Sequence, residues 1–175
     1  MADYHKMWEE LGMDVETHDQ LCEVLPQAFG DVYLSQENRP EGMDYYNFVV
    51  AEIHGVRPAE LIEHQKKGGK VFGTFCVYVP DEVVFAADAI ATGLCGGSQF
   101  WVPGGEKVLP TNTCPLIKAS VGARLDRTCP FFRIADMYVG ETTCDGKKKA
   151  WEILAEDVPV HVMDLTQMKR TKDVK

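Results

Sequence analysis

A change of pattern near residue 70 constrains the fold of this chain more than any other feature. Beyond it, short apolar runs at residues 71–76, 134–139 and 160–165 alternate with segments of helical periodicity. Such alternation is typical of βαβ units, and the long connections between the runs suit crossovers between parallel strands rather than hairpins. The pattern predicts a three-layer α/β domain with a parallel sheet.

The first 68 residues have a different character, because their apolar side chains recur at three- and four-residue steps. This spacing is typical of amphipathic helices. We therefore expect residues 1–68 to form a helical segment that packs on an α/β domain formed by residues 69–175. Within that domain, residues 81–90 are predicted to form one helix and residues 99–102 a short strand.

Composition limits the classes of function that fit the chain. The 175 residues are 45% hydrophobic, which is enough for one good-sized core. A net charge of -9 argues against nucleic-acid binding, which needs clustered cations. No apolar run approaches the roughly 20 residues that cross a bilayer. The start Met1-Ala2-Asp3-Tyr4 lacks a basic, apolar leader, so we expect a cytoplasmic protein without a membrane partner.

The chain has six cysteines, and several occupy the same kind of position. Cys76 ends a predicted strand, Cys144 lies in a strand-to-helix turn, and Cys114 and Cys129 each precede a proline that starts a helix. In a parallel sheet these places share one edge, where ligands gather. Helix N-termini also favour thiolates and bound anions. The edge can therefore collect thiols, although a buried cysteine is more often simple packing.

The spacing of the cysteines alone does not identify a metal site. There is no C-x-x-C pair, so a zinc ribbon does not fit. Cys22 lies on a helical face beside Leu21 and Leu25, and we interpret it as a packing residue. Lys147 to Lys149 begin a predicted helix and are either a solvated helix start or charges that offset an anionic group.

Three sequence motifs, in a fixed order along the chain, carry a resemblance to a known family that covers about residues 36–170. They are GTFCVYVPDE at 73–82, TCPLIK at 113–118 and ETTCDGK at 141–147. Together they resemble the D-component family of 2-hydroxyacyl-CoA dehydratases, with the greatest likeness to its double-cubane cluster branch. The resemblance implies a Rossmann-like or flavodoxin-like α/β domain, preceded here by the N-terminal helices.

The resemblance also implies a cofactor and its ligands. Cys114 and Cys144 match the family's cluster-binding positions, and Cys76 matches an additional cysteine that is expected where a larger cluster is held. The cofactor would be an iron–sulfur cluster, either a [4Fe–4S] cubane or a bridged double cubane. Family members receive electrons from an ATP-hydrolysing iron–sulfur activator, work as dimers, and hold the cluster between two α/β domains. The second domain has no counterpart here, so we expect this chain to need it, or a partner subunit, for activity.

Three hypotheses about function follow. The first is a component of an ATP-coupled iron–sulfur dehydratase or reductase. The second is an α/β electron carrier that relays electrons without converting a substrate. The third is a metal-free structural domain with reduced thiols. The sequence assigns no catalytic acid or base and no substrate.

Overall fold

A computed structural model of the chain describes residues 4–76, 78–94 and 96–166. Its centre is a sheet of four parallel strands in the order β2-β1-β3-β4. The strands are β1 (Lys70–Thr74), β2 (Ala89–Gly93), β3 (Met137–Glu141) and β4 (Val160–Met163). The chain runs outward from β1 to β2, then returns past β1 to add β3 and β4. The strand order therefore reverses between β1 and β3, as in doubly wound α/β folds.

Helices cover both faces of this sheet. They are α5 (Asp81–Ala86), α6 (Val102–Glu106), α7 (Pro115–Leu125), α8 (Pro130–Ile134) and α9 (Asp145–Leu154). Successive strand residues point to opposite faces. Tyr138 of β3 belongs to the core cluster that holds Ala119 of α7 and Trp151 of α9. Its neighbour Val139 packs instead in a cluster with Val84 of α5. The predicted three-layer α/β architecture is confirmed.

In the described part of the chain, four α-helices precede the sheet. They are α1 (His5–Glu10), α2 (Val15–Phe29), α3 (Met43–Ala51) and α4 (Val56–Lys66). Two of them, α2 and α4, contribute residues to the core around the sheet. Leu61 of α4 packs with Val71 of β1 and Ile134 of α8 in one buried cluster. Arg133 donates a hydrogen bond from Nε to the carbonyl oxygen of Leu11 over 2.8 Å. Among the described residues, no helix is long and apolar enough to cross a membrane.

Three of the four strands lie close to the apolar runs that predict them. The fourth, β2, was not predicted, and the single helix expected over residues 81–90 is wrong. Helix α5 stops at Ala86, and Asp88 takes a left-handed conformation with φ of 54° that turns the chain into β2. The alanines at 86, 87, 89 and 91 favour a helix locally. Pairing with β1 overrides that preference.

The short strand expected at residues 99–102 is also wrong. Ser98 accepts a hydrogen bond from the backbone N–H of Phe100 and starts a 3-10 turn, Gln99–Trp101. Helix α6 follows directly, with Pro103 in its first turn, where the missing N–H of proline costs no hydrogen bond. A capping serine and a helix-starting proline therefore outweigh the apolar character of this run.

Replacing Gly140 with alanine should destabilise the fold. A Cβ on Gly140 would lie 2.2 Å from Cζ2 of Trp151, whose indole is fixed because Nε1 donates to the carbonyl oxygen of Glu141 over 2.9 Å. Overpacking of this kind costs about 1–3 kcal/mol. Urea unfolding followed by circular dichroism measures the change. Gly93→Ala is the matched control, since a Cβ at Gly93 in β2 meets no atom within 4 Å. Equal stability of the two variants would contradict this packing argument.

Candidate functional site

Of the three cysteines predicted as ligands, two follow strands that end at the same edge of the sheet, and the third begins a helix. Cys76 comes two residues after the end of β1, and Cys144 is the N-cap residue of α9, three residues after the end of β3. Cys114 is the N-cap residue of α7. All three residues are exposed. Because β1 and β3 are adjacent and parallel, Cys76 and Cys144 flank the point where the strand order reverses, the usual ligand position in this architecture.

Close packing brings the first turns of α7 and α9 together. Gly146, in the first turn of α9, has no side chain, and a Cβ there would lie 2.9 Å from Cδ1 of Ile117 and 3.4 Å from Cγ2 of Thr113. Thr113 immediately precedes Cys114, and Gly146 follows Cys144 by two residues. The start of α9 thus lies directly against the start of α7.

Cys76 joins this region through a narrow pocket that is lined mostly by apolar side chains. The lining combines the two residues that follow β1 with the first two turns of α7 and of α9. Its residues are Phe75, Cys76, Leu116, Ile117, Ser120, Val121, Lys147, Ala150 and Trp151. The pocket therefore connects Cys76 with the chain segments that follow Cys114 and Cys144.

A buried ion pair lies beside Cys76. The Nζ atom of Lys147 donates a hydrogen bond to Sγ of Cys76 over 2.9 Å and also contacts Oε1 of Glu141. The Glu141 side chain is 0% exposed and that of Lys147 is 12% exposed. Oε1 of Glu141 accepts a second hydrogen bond, from Oγ1 of Thr143 over 3.0 Å. Oε2 of Glu141 is buried and has no hydrogen-bond partner among the described residues.

This geometry holds a positive charge next to an exposed sulfur atom. Burial lowers the pKa of Lys147, but its hydrogen bonds to Cys76 and Glu141 and the charges of both outweigh burial, so its pKa lies above the ordinary value. Lys147 therefore stays charged at neutral pH. Neither α7 nor α9 has a side-chain cap at its N-terminus. Their first turns, like Lys147, favour a negatively charged group at this edge.

The remaining cysteines occupy other environments. Cys129 is buried in the main core, where burial raises the pKa of its thiol to about 11. Cys22 lies on α2 in contact with His18, far along the chain from the sheet edge. Cys95 lies outside the described residues.

The role of Lys147 was left open by the sequence pattern, and Glu141 was not predicted to take part in the site. The neighbours Lys148 and Lys149 behave as a solvated helix start, since they pair with Asp145 and Glu152 at exposed positions. Lys147 differs because it points back over the sheet toward Cys76. One signal for Glu141 was available, because it lies at the end of a buried strand and a buried carboxylate needs a cationic partner.

Comparisons with known proteins match this part of the chain. The family model described as 2-hydroxyglutaryl-CoA dehydratase, D-component, matches residues 76–175. A curated protein of Escherichia coli (strain K12), named "Putative dehydratase subunit YjiM", is 46% identical over 105 residues. The matched region covers 60% of this chain and 27% of that relative, so the chain spans about a quarter of the relative's length.

Replacing Lys147 with methionine should strongly destabilise the protein. Methionine keeps much of the length and volume but removes the charge that compensates the buried Glu141 carboxylate. Breaking a buried ion pair from one side costs about 3–5 kcal/mol. Urea unfolding followed by tryptophan fluorescence measures the loss.

Two variants control this experiment. Lys148→Met makes the same chemical change one residue along at an exposed position and should have little effect, because exposed ion pairs contribute little. The double variant Lys147→Met with Glu141→Gln should recover much of the stability, because no unpaired charge remains buried. A Lys147→Met protein as stable as Lys148→Met would contradict the assigned role.

Proposed function

Because the chain belongs to the 2-hydroxyglutaryl-CoA dehydratase D-component family, we propose that it supplies thiolate ligands to an iron–sulfur cluster in a dehydratase or a related low-potential reductase. Cys76, Cys114 and Cys144 are the proposed ligands. The observation that carries the proposal is the meeting of β1, α7 and α9 at the switch point of the sheet, with an exposed cysteine from each segment.

The residues at this edge fit such a cofactor chemically. Cysteine thiolates are the usual ligands of iron–sulfur clusters. Clusters with thiolate ligands are anionic, and Lys147 and the two uncapped helix N-termini offer positive charge and backbone N–H groups. Exposed thiols suit a cofactor that is too large for the interior of one small domain.

A bound cluster would supply single electrons at low potential, which ordinary side chains cannot carry. The protein's own residues have other tasks. Cys76, Cys114 and Cys144 hold the cofactor, Lys147 sets the local charge, and Glu141 keeps Lys147 in place. The apolar lining of the pocket, including Leu116 and Trp151, limits the access of water.

The proposal also requires partners. A second α/β domain, or a partner subunit, would cover the exposed thiols and complete the ligand set. Apolar side chains beside them are available for that contact, since Tyr78 is 54% exposed and Leu116 is 44% exposed. An ATP-hydrolysing iron–sulfur activator would deliver the electrons, and the assembly would be a homodimer in the cytoplasm.

Anaerobic reconstitution tests the ligand assignment. The chain alone, incubated with ferrous iron and sulfide, should develop iron–sulfur charge-transfer absorption but hold less than one cluster per chain, because the ligand set is open. Fusing it to the second α/β domain of a longer family member should raise the content of iron and acid-labile sulfide. In the fusion, Cys114→Ser should lower both contents at least about twofold, because a ligand is lost.

Cys22→Ser is the matched control, since it removes a thiol distant from the sheet edge and should leave the acid-labile sulfide unchanged. Equal sulfide content in Cys114→Ser and Cys22→Ser would overturn the ligand assignment. The absence of charge-transfer bands from the chain, the fusion and both variants would overturn the proposed iron–sulfur cofactor. Turnover with the activator and ATP then separates an enzyme component from an electron carrier.

A further inference from the structure

Two histidines and a cysteine converge in the N-terminal helical segment, away from the sheet edge. His18 and Cys22 lie four residues apart on α2, so their side chains share one face of the helix. His54 lies in the turn between α3 and α4. His18 is buried, Cys22 and His54 are partly buried, and one donor atom from each lies within 4.8 Å of the others. Among the described residues, this is the one group of three or more such side chains with donor atoms so close together.

The distances are close to those of a metal centre. Sγ of Cys22 lies 3.6 Å from Nε2 of His18, and that nitrogen lies 2.8 Å from Nδ1 of His54. Ligand atoms at about 2.0–2.3 Å from a tetrahedral zinc ion lie about 3.3–3.6 Å apart. The sulfur–nitrogen distance fits as it stands. The two nitrogens, now hydrogen-bonded, would have to separate by about half an ångström. The donor atoms of Cys22 and His54 lie within 4.8 Å of each other and would adjust in the same step.

Neighbouring residues already orient the donor groups. Nε1 of Trp8 donates to the carbonyl oxygen of His54 over 2.8 Å, and the Trp8 ring packs edge-on against His18 with centroids 4.3 Å apart. Burial lowers the pKa of both His18 and His54 to about 4, so both imidazoles are neutral at pH 7. One of the two facing nitrogens of His18 and His54 carries the proton of their hydrogen bond, so that ring would bind an ion in its other tautomer, which leaves a lone pair on both nitrogens. Neutral imidazole is the form that binds metals.

We propose that His18, Cys22 and His54 bind a thiophilic divalent ion of the zinc type. One thiolate and two imidazoles are the donors that Zn²⁺ and Co²⁺ prefer, and hard cations such as Mg²⁺ prefer oxygen. On binding, the Cys22 thiol releases its proton to solvent and its sulfur donates an electron pair to the ion. Three protein donors leave one coordination position, which water can fill.

The ion would fasten a part of the fold that has little other support. Helix α3 has no buried residue, and it exposes large apolar side chains such as Tyr45 and Phe48. A metal ion that joins α2 to the turn after α3 would hold α3 in place, although α3 has no buried residues of its own. None of the three ligands lies within residues 76–175, the segment that the family model matches, so this inference does not depend on the proposed function.

Cobalt binding tests the site with a spectroscopic readout. The parent for the experiment carries Cys76→Ser, Cys114→Ser and Cys144→Ser, which remove the exposed thiols at the sheet edge. After treatment with a chelator, titration with Co²⁺ should give one ion per chain, intense visible d–d bands of a tetrahedral site and a thiolate-to-cobalt band in the near ultraviolet. Adding Cys22→Ser should abolish the thiolate band. His54→Gln should weaken Zn²⁺ binding, measured by competition with Co²⁺, at least about tenfold.

His161→Gln is the matched control, since His161 is exposed on the edge strand β4 and should leave both metals unaffected. Zn²⁺ should also raise the Tm of the parent but not that of the Cys22→Ser variant. Circular dichroism establishes whether each variant is folded. If Cys22→Ser does not fold, the comparison of His54→Gln with His161→Gln decides the question. A thiolate band that survives Cys22→Ser, equal affinity in His54→Gln and His161→Gln, or no cobalt binding by the folded parent would overturn the proposal.

Discussion

The parallel pairing of β1 with β3 determines where the candidate ligands lie. These strands pair through Phe72, Gly73 and Thr74, although more than sixty residues separate them along the chain. Because the pairing is parallel, both carboxyl ends reach the same edge, and the residues that follow each strand become neighbours. Helix α7 precedes β3 and α9 follows it, and both pack on the same face of the sheet, where they contact each other. Cys76, Cys114 and Cys144 are collected by topology rather than by a local motif.

The glycines of this region show how tightly the arrangement is packed. Gly73 leaves room for Leu94 and Tyr138, Gly140 for Trp151, and Gly146 for Ile117. At each of these positions a Cβ would lie closer than 3.0 Å to a neighbouring side chain. The indole of Trp151 in turn donates to the carbonyl oxygen of Glu141 and so fixes the last residue of β3. The buried carboxylate of Glu141 then places Lys147 beside Cys76, so the charge at the edge depends on core packing beneath it.

The fold was predictable from the sequence where local and tertiary preferences agree. Prolines after Cys114 and Cys129 mark the starts of α7 and α8 correctly, because proline suits the first turn of a helix. Strand β2 was missed because its alanines have no β preference, and its partner β1 supplies the stabilisation. The pair of Lys147 and Glu141 could not be predicted for a related reason. Only the folded chain shows that one lysine of three turns inward, and helical periodicity alone does not select it.

The surroundings of Cys22 also depend on tertiary contacts that the local sequence pattern does not reveal. Its neighbours Leu21 and Leu25 indicated packing, and Leu21 does lie in the main core. Cys22 lies one step around the helix and faces His18 instead. The signal that reveals its environment is His18 four residues earlier, which puts a second metal-binding side chain on the same helical face. His54 completes the group through tertiary contact, which no spacing rule supplies.

The two candidate sites, the three cysteines at the sheet edge and the group of His18, Cys22 and His54, differ in their exposure to solvent. At the sheet edge the thiols are exposed, and Lys147 and the N-termini of α7 and α9 lie beside them. Such an edge suits an anionic cofactor that a second protein surface must cover. In the helical segment the donors are partly or fully buried, with Trp8 packed over His18. That arrangement suits a small ion held within one chain. Exchange of electrons with a partner is therefore compatible with the first environment, whereas the second is compatible with a structural role.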